Sequence, residues 1–195
     1  MDHLVGRQIE NAYISVEIKN GAMTRFRNGL RESLSSEGQI CEDASESIHV
    51  SIAYGLGSVG FETVEQTVSE IADSGFQTRA TGFEILQGTS TPYDYLVLSL
   101  EAQGDFQQAV EIVSGRMPTK TFAEGFKSHV SLLRFPKGSL GSDRAQALVR
   151  ELNASHGAMF ALGRCLCVEG ECVCVFTAER QCCLQIPFEA SATAA

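Results

Sequence analysis

No stretch of this chain is both apolar and long enough to cross a bilayer. The longest apolar runs, such as residues 95–100, are strand-sized, whereas a spanning helix needs about 18 residues or more. Basic residues are also scarce: 15 Lys and Arg stand against 24 Asp and Glu, for a net charge of −9. Affinity for long nucleic acid comes largely from protein cations displacing phosphate counterions. This balance therefore argues against long duplexes and leaves small nucleotides or chain ends as partners. Residues 1–7 lack the basic-then-apolar layout of a secretory signal peptide, and the expectation is a cytoplasmic protein with no membrane partner. Cysteine is missing from most of the chain, with six of the seven falling in the last 31 positions. A small disulfide-built fold spreads its cysteines through the sequence, so these are expected to be thiols.

What remains is ordinary globular material: 195 residues, 44% hydrophobic and 20% charged. That is enough chain for a sizeable core. The expectation is one domain of two lobes over residues 1–187, monomeric, with a disordered tail over 188–195.

Hydrophobic periodicity orders the elements. Residues 13–18 alternate as a strand, and residues 24–35 place Phe26, Leu30 and Leu34 at helical spacing. A strand at 48–54, a helix at 63–74 and a strand at 76–86 follow. Thr63 with Gln66 reads as a capping box for that helix. The second half runs the same way: a strand at 95–100, a helix at 105–116, a strand at 129–135 and a helix at 142–154. Residues 158–168 and 172–177 read as a closing hairpin around Glu169 and Gly170.

The two halves repeat in register. His49 and His129 stand eighty positions apart, and so do Ser51 and Ser131. The loops that follow share Gly-Ser-apolar-Gly, at 57–60 and 138–141, and Tyr13 leads the first half as Tyr95 leads the second. Each half is strand, helix, His-strand, helix, strand, which implies a pseudo-twofold axis and equivalent strands facing each other across a cleft.

Residues two apart in a strand share a face. His49 and Ser51 therefore point one way and Val50 and Ile52 the other; His129 and Ser131 repeat this, backed by Val130 and Leu132. Two opposed imidazoles suit phosphodiester chemistry. One, neutral, takes a proton from the attacking hydroxyl or water; the other, protonated, gives one to the leaving oxygen. The two hydroxyls can donate to the non-bridging phosphate oxygens. A lone His on an apolar strand is more often a satisfied structural residue, but two copies in register reverse that reading. His3 and His156 lack such support and read as surface residues.

Paired His-x-Ser-apolar motifs about eighty residues apart, each in a repeated strand–helix–strand half, resemble the two-histidine phosphoesterase superfamily. The resemblance spans residues 13–177, with Ser in place of the commoner Thr in both motifs. It implies an α+β, bilobal fold of duplicated β-α-β units with antiparallel sheets around a central cleft. It also implies His49, Ser51, His129 and Ser131 as catalytic residues, no metal and no cofactor. The activity implied is cleavage of a phosphodiester at a ribose 2′ or 3′ oxygen: a 2′,3′-cyclic phosphate, a 2′–5′ linkage or a cyclic oligonucleotide signal. The partner is then a small nucleotide, cyclic nucleotide or oligonucleotide end. A non-catalytic nucleotide sensor using the same cleft is the rival.

Other features carry weaker signals. Tyr13 and Tyr95 should face the cleft, as base-stacking platforms or as sheet-edge tyrosines with wet hydroxyls. Phe135 falls on the His129 face by alternation and could bind substrate; Arg134 falls on the opposite one, and Lys137 stands in the following loop. Residues 55–60 match the Gly-x-Gly-x-x-Gly dinucleotide fingerprint, but a tight strand-to-helix turn explains them as well. Cys165, Cys167, Cys172 and Cys174 flank the expected hairpin turn and stay open between free thiols, a cross-strand pair and a metal site. The Cys182–Cys183 pair has no assigned role.

Overall fold

In the computed structural model, residues 6, 8–18, 21–89, 91–119, 127–161, 167–177 and 181–188 are described. Among the described residues, no helix is long and apolar enough to cross a membrane. The elements run β1 (Gln8–Ile9), β2 (Tyr13–Glu17), α1 (Gly21–Ser36), β3 (Glu42–Asp43), β4 (His49–Ala53), β5 (Val59–Gly60) and α2 (Phe61–Ser74). Then come β6 (Gln77–Gln87), β7 (Tyr93–Leu100), α3 (Asp105–Arg116), β8 (His129–Pro136), α4 (Ser142–Ala161), β9 (Cys167–Glu169), β10 (Cys172–Phe176) and β11 (Cys182–Pro187).

The fold is α+β with antiparallel pairing. A nine-stranded sheet runs β11-β10-β2-β4-β8-β7-β6-β9, with β3 added alongside β8. The order is symmetric about its middle: β2 matches β7, β10 matches β6 and β11 matches β9. The halves meet at β4 and β8, antiparallel, with Val50 opposite Val130. The motif strands therefore lie side by side in one sheet instead of facing each other across the cleft. Val50, Ile52, Val130 and Leu132 are fully buried in one core cluster. Phe61, Val64, Val68 and Ile71 of α2 join it at helical spacing, together with Phe106, Ala109 and Val113 of α3.

One irregularity recurs in both halves. Between β2 and β4, Ile14 pairs with Ala53 and Ser15 with Ser51, so Ile52 is an extra residue. Between β7 and β8, Leu96 pairs with Leu133 and Val97 with Ser131, so Leu132 is extra. Each motif serine is thus followed by a β-bulge, again eighty positions apart. A bulge reverses the inside–outside alternation of everything beyond it.

Other sequence expectations need correction. The capping box at Thr63 is not formed: α2 begins at Phe61 behind Gly60, with no side-chain cap. Gly57 accounts for part of the glycine run, since a Cβ there would meet the Pro118 ring at 2.8 Å. Helix α4 continues past 154, and His156 lies on it, packed edge-on against Phe26 at 5.2 Å and tilted against Phe83, not in a surface turn. Asn153 of the same helix clamps β6, accepting from the Phe83 amide and donating to its carbonyl.

The closing hairpin is also absent. β9 pairs with β6, whereas β10 pairs with β2 and β11 in the other half of the sheet. Gly170 marks the crossing point and not a hairpin turn. A Cβ there would come within 2.6 Å of Phe188 and Val16, so the chain passes only because the residue is glycine. The Phe188 amide donates to the Glu171 carbonyl; residues 189–195 of the expected tail lie outside the described ones. So do His3 and Cys165.

Candidate active site

The cleft is an open cavity of about 1290 Å³ lined by residues of both halves, His49, His129 and Ser131 among them. Both imidazoles are half-buried and held in the same way. His49 Nδ1 lies 3.3 Å from the Ser47 carbonyl, and His129 Nδ1 lies 2.7 Å from the Lys127 carbonyl. In each half the partner is the carbonyl two residues earlier, so the strand itself orients the ring. A carbonyl can only accept, so Nδ1 carries the proton, and Nε2 is the nitrogen that can act as base or, once protonated, as acid.

The register interleaves the two motifs. With Val50 opposite Val130 in an antiparallel pair, His49 falls opposite Ser131 and Ser51 opposite His129. Each histidine thus neighbours the serine of the other half. Ser51 is the more recessed hydroxyl: it is only 6% exposed, and it sits opposite Ser15 of β2.

The bulges settle the other candidates. Tyr13 and Tyr95 both line the cleft. Tyr13 stacks on Phe176 at 4.9 Å between ring centroids, and Tyr95 donates its hydroxyl to Thr91. Phe135 does not line the cleft; it lies beyond the Leu132 bulge, on the core face, fully buried. Arg134 takes the cleft-side position opposite Tyr95, against the expectation from simple alternation. Its guanidinium is held by Glu42 at 2.7 Å and lies over the Tyr93 ring at 4.6 Å. Lys137 donates to the Gly88 carbonyl. Tyr54, missed in the sequence, is the equivalent of Arg134 beyond the first bulge. It lines the cleft beside Tyr13, with ring centroids 6.1 Å apart. Only knowledge of the bulge would have found it.

Charge is distributed unevenly. Burial is the largest influence on His129 and holds it below its ordinary value; the Lys127 carbonyl and the Glu84 carboxylate pull it part of the way back. Lys127 in turn bonds Glu84 at 2.7 Å, which keeps that carboxyl below its usual range. On the other side Glu17 of β2 stands directly opposite His49. Behind Glu17 lie Cys172 and Cys174 of β10, whose thiols burial pushes up. Cys41, Cys172, Cys174, Cys182 and Cys183 are all free thiols.

No family model and no curated protein matches the sequence. Solved structures do. Usb1 of Kluyveromyces marxianus shares 14% identity at a TM-score of 0.59, over 92% of this chain and 99% of that one. The same protein with uridine monophosphate matches at 13% and 0.58, over 90% and 97%. LigT of E. coli complexed with 3′-AMP matches at 13% and 0.47, over 93% and 96%. At such identities the likeness to Usb1 is one of fold: the chain shares its mixed α+β architecture.

Proposed function

We propose that this chain is a metal-independent phosphodiesterase that hydrolyses nucleotide phosphodiesters at a ribose 2′ or 3′ oxygen. The observation that carries this reading is the matched pair of imidazoles: each bonds through Nδ1 to the carbonyl two residues back, and both line one cleft. Burial keeps His129 neutral near pH 7, which suits it to be the base; the acid's role then falls to His49. His129 Nε2 takes a proton from the attacking water as the new P–O bond forms. His49 gives a proton to the leaving ribose oxygen as the old bond breaks. The products are a phosphomonoester and a free hydroxyl. Ser131, with Ser51 behind it, donates to the non-bridging oxygens as their charge grows. Tyr13, Tyr54 and Phe176 offer an aromatic wall for a base, and the acidic surface favours small nucleotides over duplexes. Usb1 holding uridine monophosphate agrees with a ligand of that size.

The test is incubation with 2′,3′-cyclic nucleotides, 2′–5′ oligoadenylate and cyclic dinucleotides, read by chromatography with and without EDTA. Cleavage of at least one class, unaffected by the chelator, is expected. Binding without turnover across the panel would instead make the chain a nucleotide sensor, and loss of turnover on chelation would make it a metal enzyme.

A further inference from the structure

Next to the His49 strand, β2 and β10 bring together a donor set that the phosphodiesterase reading does not use. Cys172 pairs across the ladder with Glu17 and Cys174 with Ser15, so both thiols fall on the face of β10 that carries Glu17 on β2. Cys172 Sγ lies 3.6 Å from Cys174 Sγ and 3.5 Å from Glu17 Oε2; Cys174 Sγ lies 3.9 Å from the same oxygen. All three donor atoms fall within 4.8 Å of one another. These spacings can be set against a real coordination sphere. Tetrahedral zinc, with bonds of about 2.3 Å to sulfur and about 2.0–2.2 Å to oxygen, separates its sulfurs by about 3.8 Å and a sulfur from an oxygen by about 3.6 Å. The triangle here is already that size, so an ion could enter with little rearrangement.

The surroundings fit as well. Gln185 Nε2 donates to Cys172 Sγ at 3.0 Å, the kind of outer bond that stabilises a ligating thiolate. Both cysteines are almost wholly buried, yet Glu17, Cys174 and Gln185 also line the cleft, so an ion has a route in. Two thiols and one carboxylate are a soft set, unlike the all-oxygen shells that magnesium and calcium take.

We propose that Cys172, Cys174 and Glu17 form a binding site for one thiophilic d10 cation of the zinc type, with its fourth position open to the cleft. Entry of the ion displaces the two thiol protons to solvent, so binding tightens as pH rises. Glu17 adjoins His49 across the ladder, but the two thiols lie one strand further out, and the hydrolysis proposed above does not pass through the site.

The experiment is titration of the reduced, full-length chain with cadmium or cobalt, followed by thiolate-to-metal charge-transfer absorption. Saturation at one equivalent is expected, with the signal lost in Cys172→Ser and Cys174→Ser and kept in Cys41→Ser. No uptake by the intact chain, or equal affinity in the Cys172→Ser/Cys174→Ser double variant, would overturn the proposal. Should the serine variants fail to fold, Glu17→Gln and Gln185→Ala decide. They leave both thiols in place, and each should weaken binding by about 10–100-fold; unchanged affinity in both is the overturning result. Neither readout involves phosphodiester cleavage, so this site and the proposed activity stand or fall separately.

Discussion

On one side of the cleft His49 stands opposite Glu17, beside the aromatic group of Tyr13, Tyr54 and Phe176 and the thiols of β10. On the other, His129 stands opposite Ser99, with the Lys127–Glu84 ion pair behind it and Tyr95 further along β7. The two motif strands are copies in sequence, in their bulges and in their Nδ1 bonds, yet the residues beside the two histidines differ: Glu17 faces His49 where Ser99 faces His129. Duplication supplies two equivalent imidazoles, but an acid and a base must differ. On the proposed reading the difference comes from the flanking strands: burial dominates at His129, while a carboxylate faces His49.

The strongest way to break the comparison is to remove one imidazole at a time. His49→Ala and His129→Ala should each lower kcat by about 10²–10⁴-fold while circular dichroism and Tm change little. The double variant should be little worse than either single one, because proton removal and proton donation serve one step. Full activity in either single variant would end the two-histidine reading.

The serines come next. Ser131 lines the cleft and Ser51 sits almost wholly beneath it. Ser131→Ala should cost on the order of 10²-fold in kcat, as loss of one transition-state donor does; Ser51→Ala should cost less. Equal losses would mean that the recessed hydroxyl reaches the phosphate as well.

A smaller effect separates the aromatic wall from its opposite. Tyr54→Ala should remove part of a base platform, about 1–3 kcal/mol of stacking, and raise KM with kcat little changed. Tyr95→Phe should do much less, because that hydroxyl is engaged with Thr91. The reverse pattern would put the base on the β7 side.

That wall also marks where sequence reading stopped. Alternation in β4 and β8 was legible because Val50, Ser51, Val130 and Ser131 obey it, and the eighty-residue repeat tied the two copies together. Beyond Ile52 and Leu132 it failed, because one inserted residue exchanges the faces: Tyr54 lines the cleft, Arg134 takes the position opposite Tyr95 and Phe135 turns into the core. A bulge leaves no mark in hydropathy. The same limit explains the misplaced hairpin. Two short apolar runs around Glu169 and Gly170 look like local partners, but each pairs with a strand distant in sequence, and only packing decides that. The Glu17 cluster follows from this second error, since the cysteines that meet it were expected beside Cys165 and Cys167.

The gentlest test of the division of labour is a shift in pH profile. A base must be neutral, so kcat/KM should fall as pH drops through the His129 pKa. Burial holds that value below the ordinary 6.5, and Glu84 is one of the two groups pulling it upward. Glu84→Gln removes that pull and leaves the Lys127 cation without its carboxylate partner. Both changes favour the neutral imidazole. The acid limb should therefore move to lower pH, with the plateau rate nearly unchanged because Glu84 touches no reacting atom. A structural role for Glu84 alone would lower the plateau and leave the limb in place. If the limb instead stays fixed in Glu84→Gln and moves in Glu17→Gln, the base is His49, and the roles assigned to the two halves exchange.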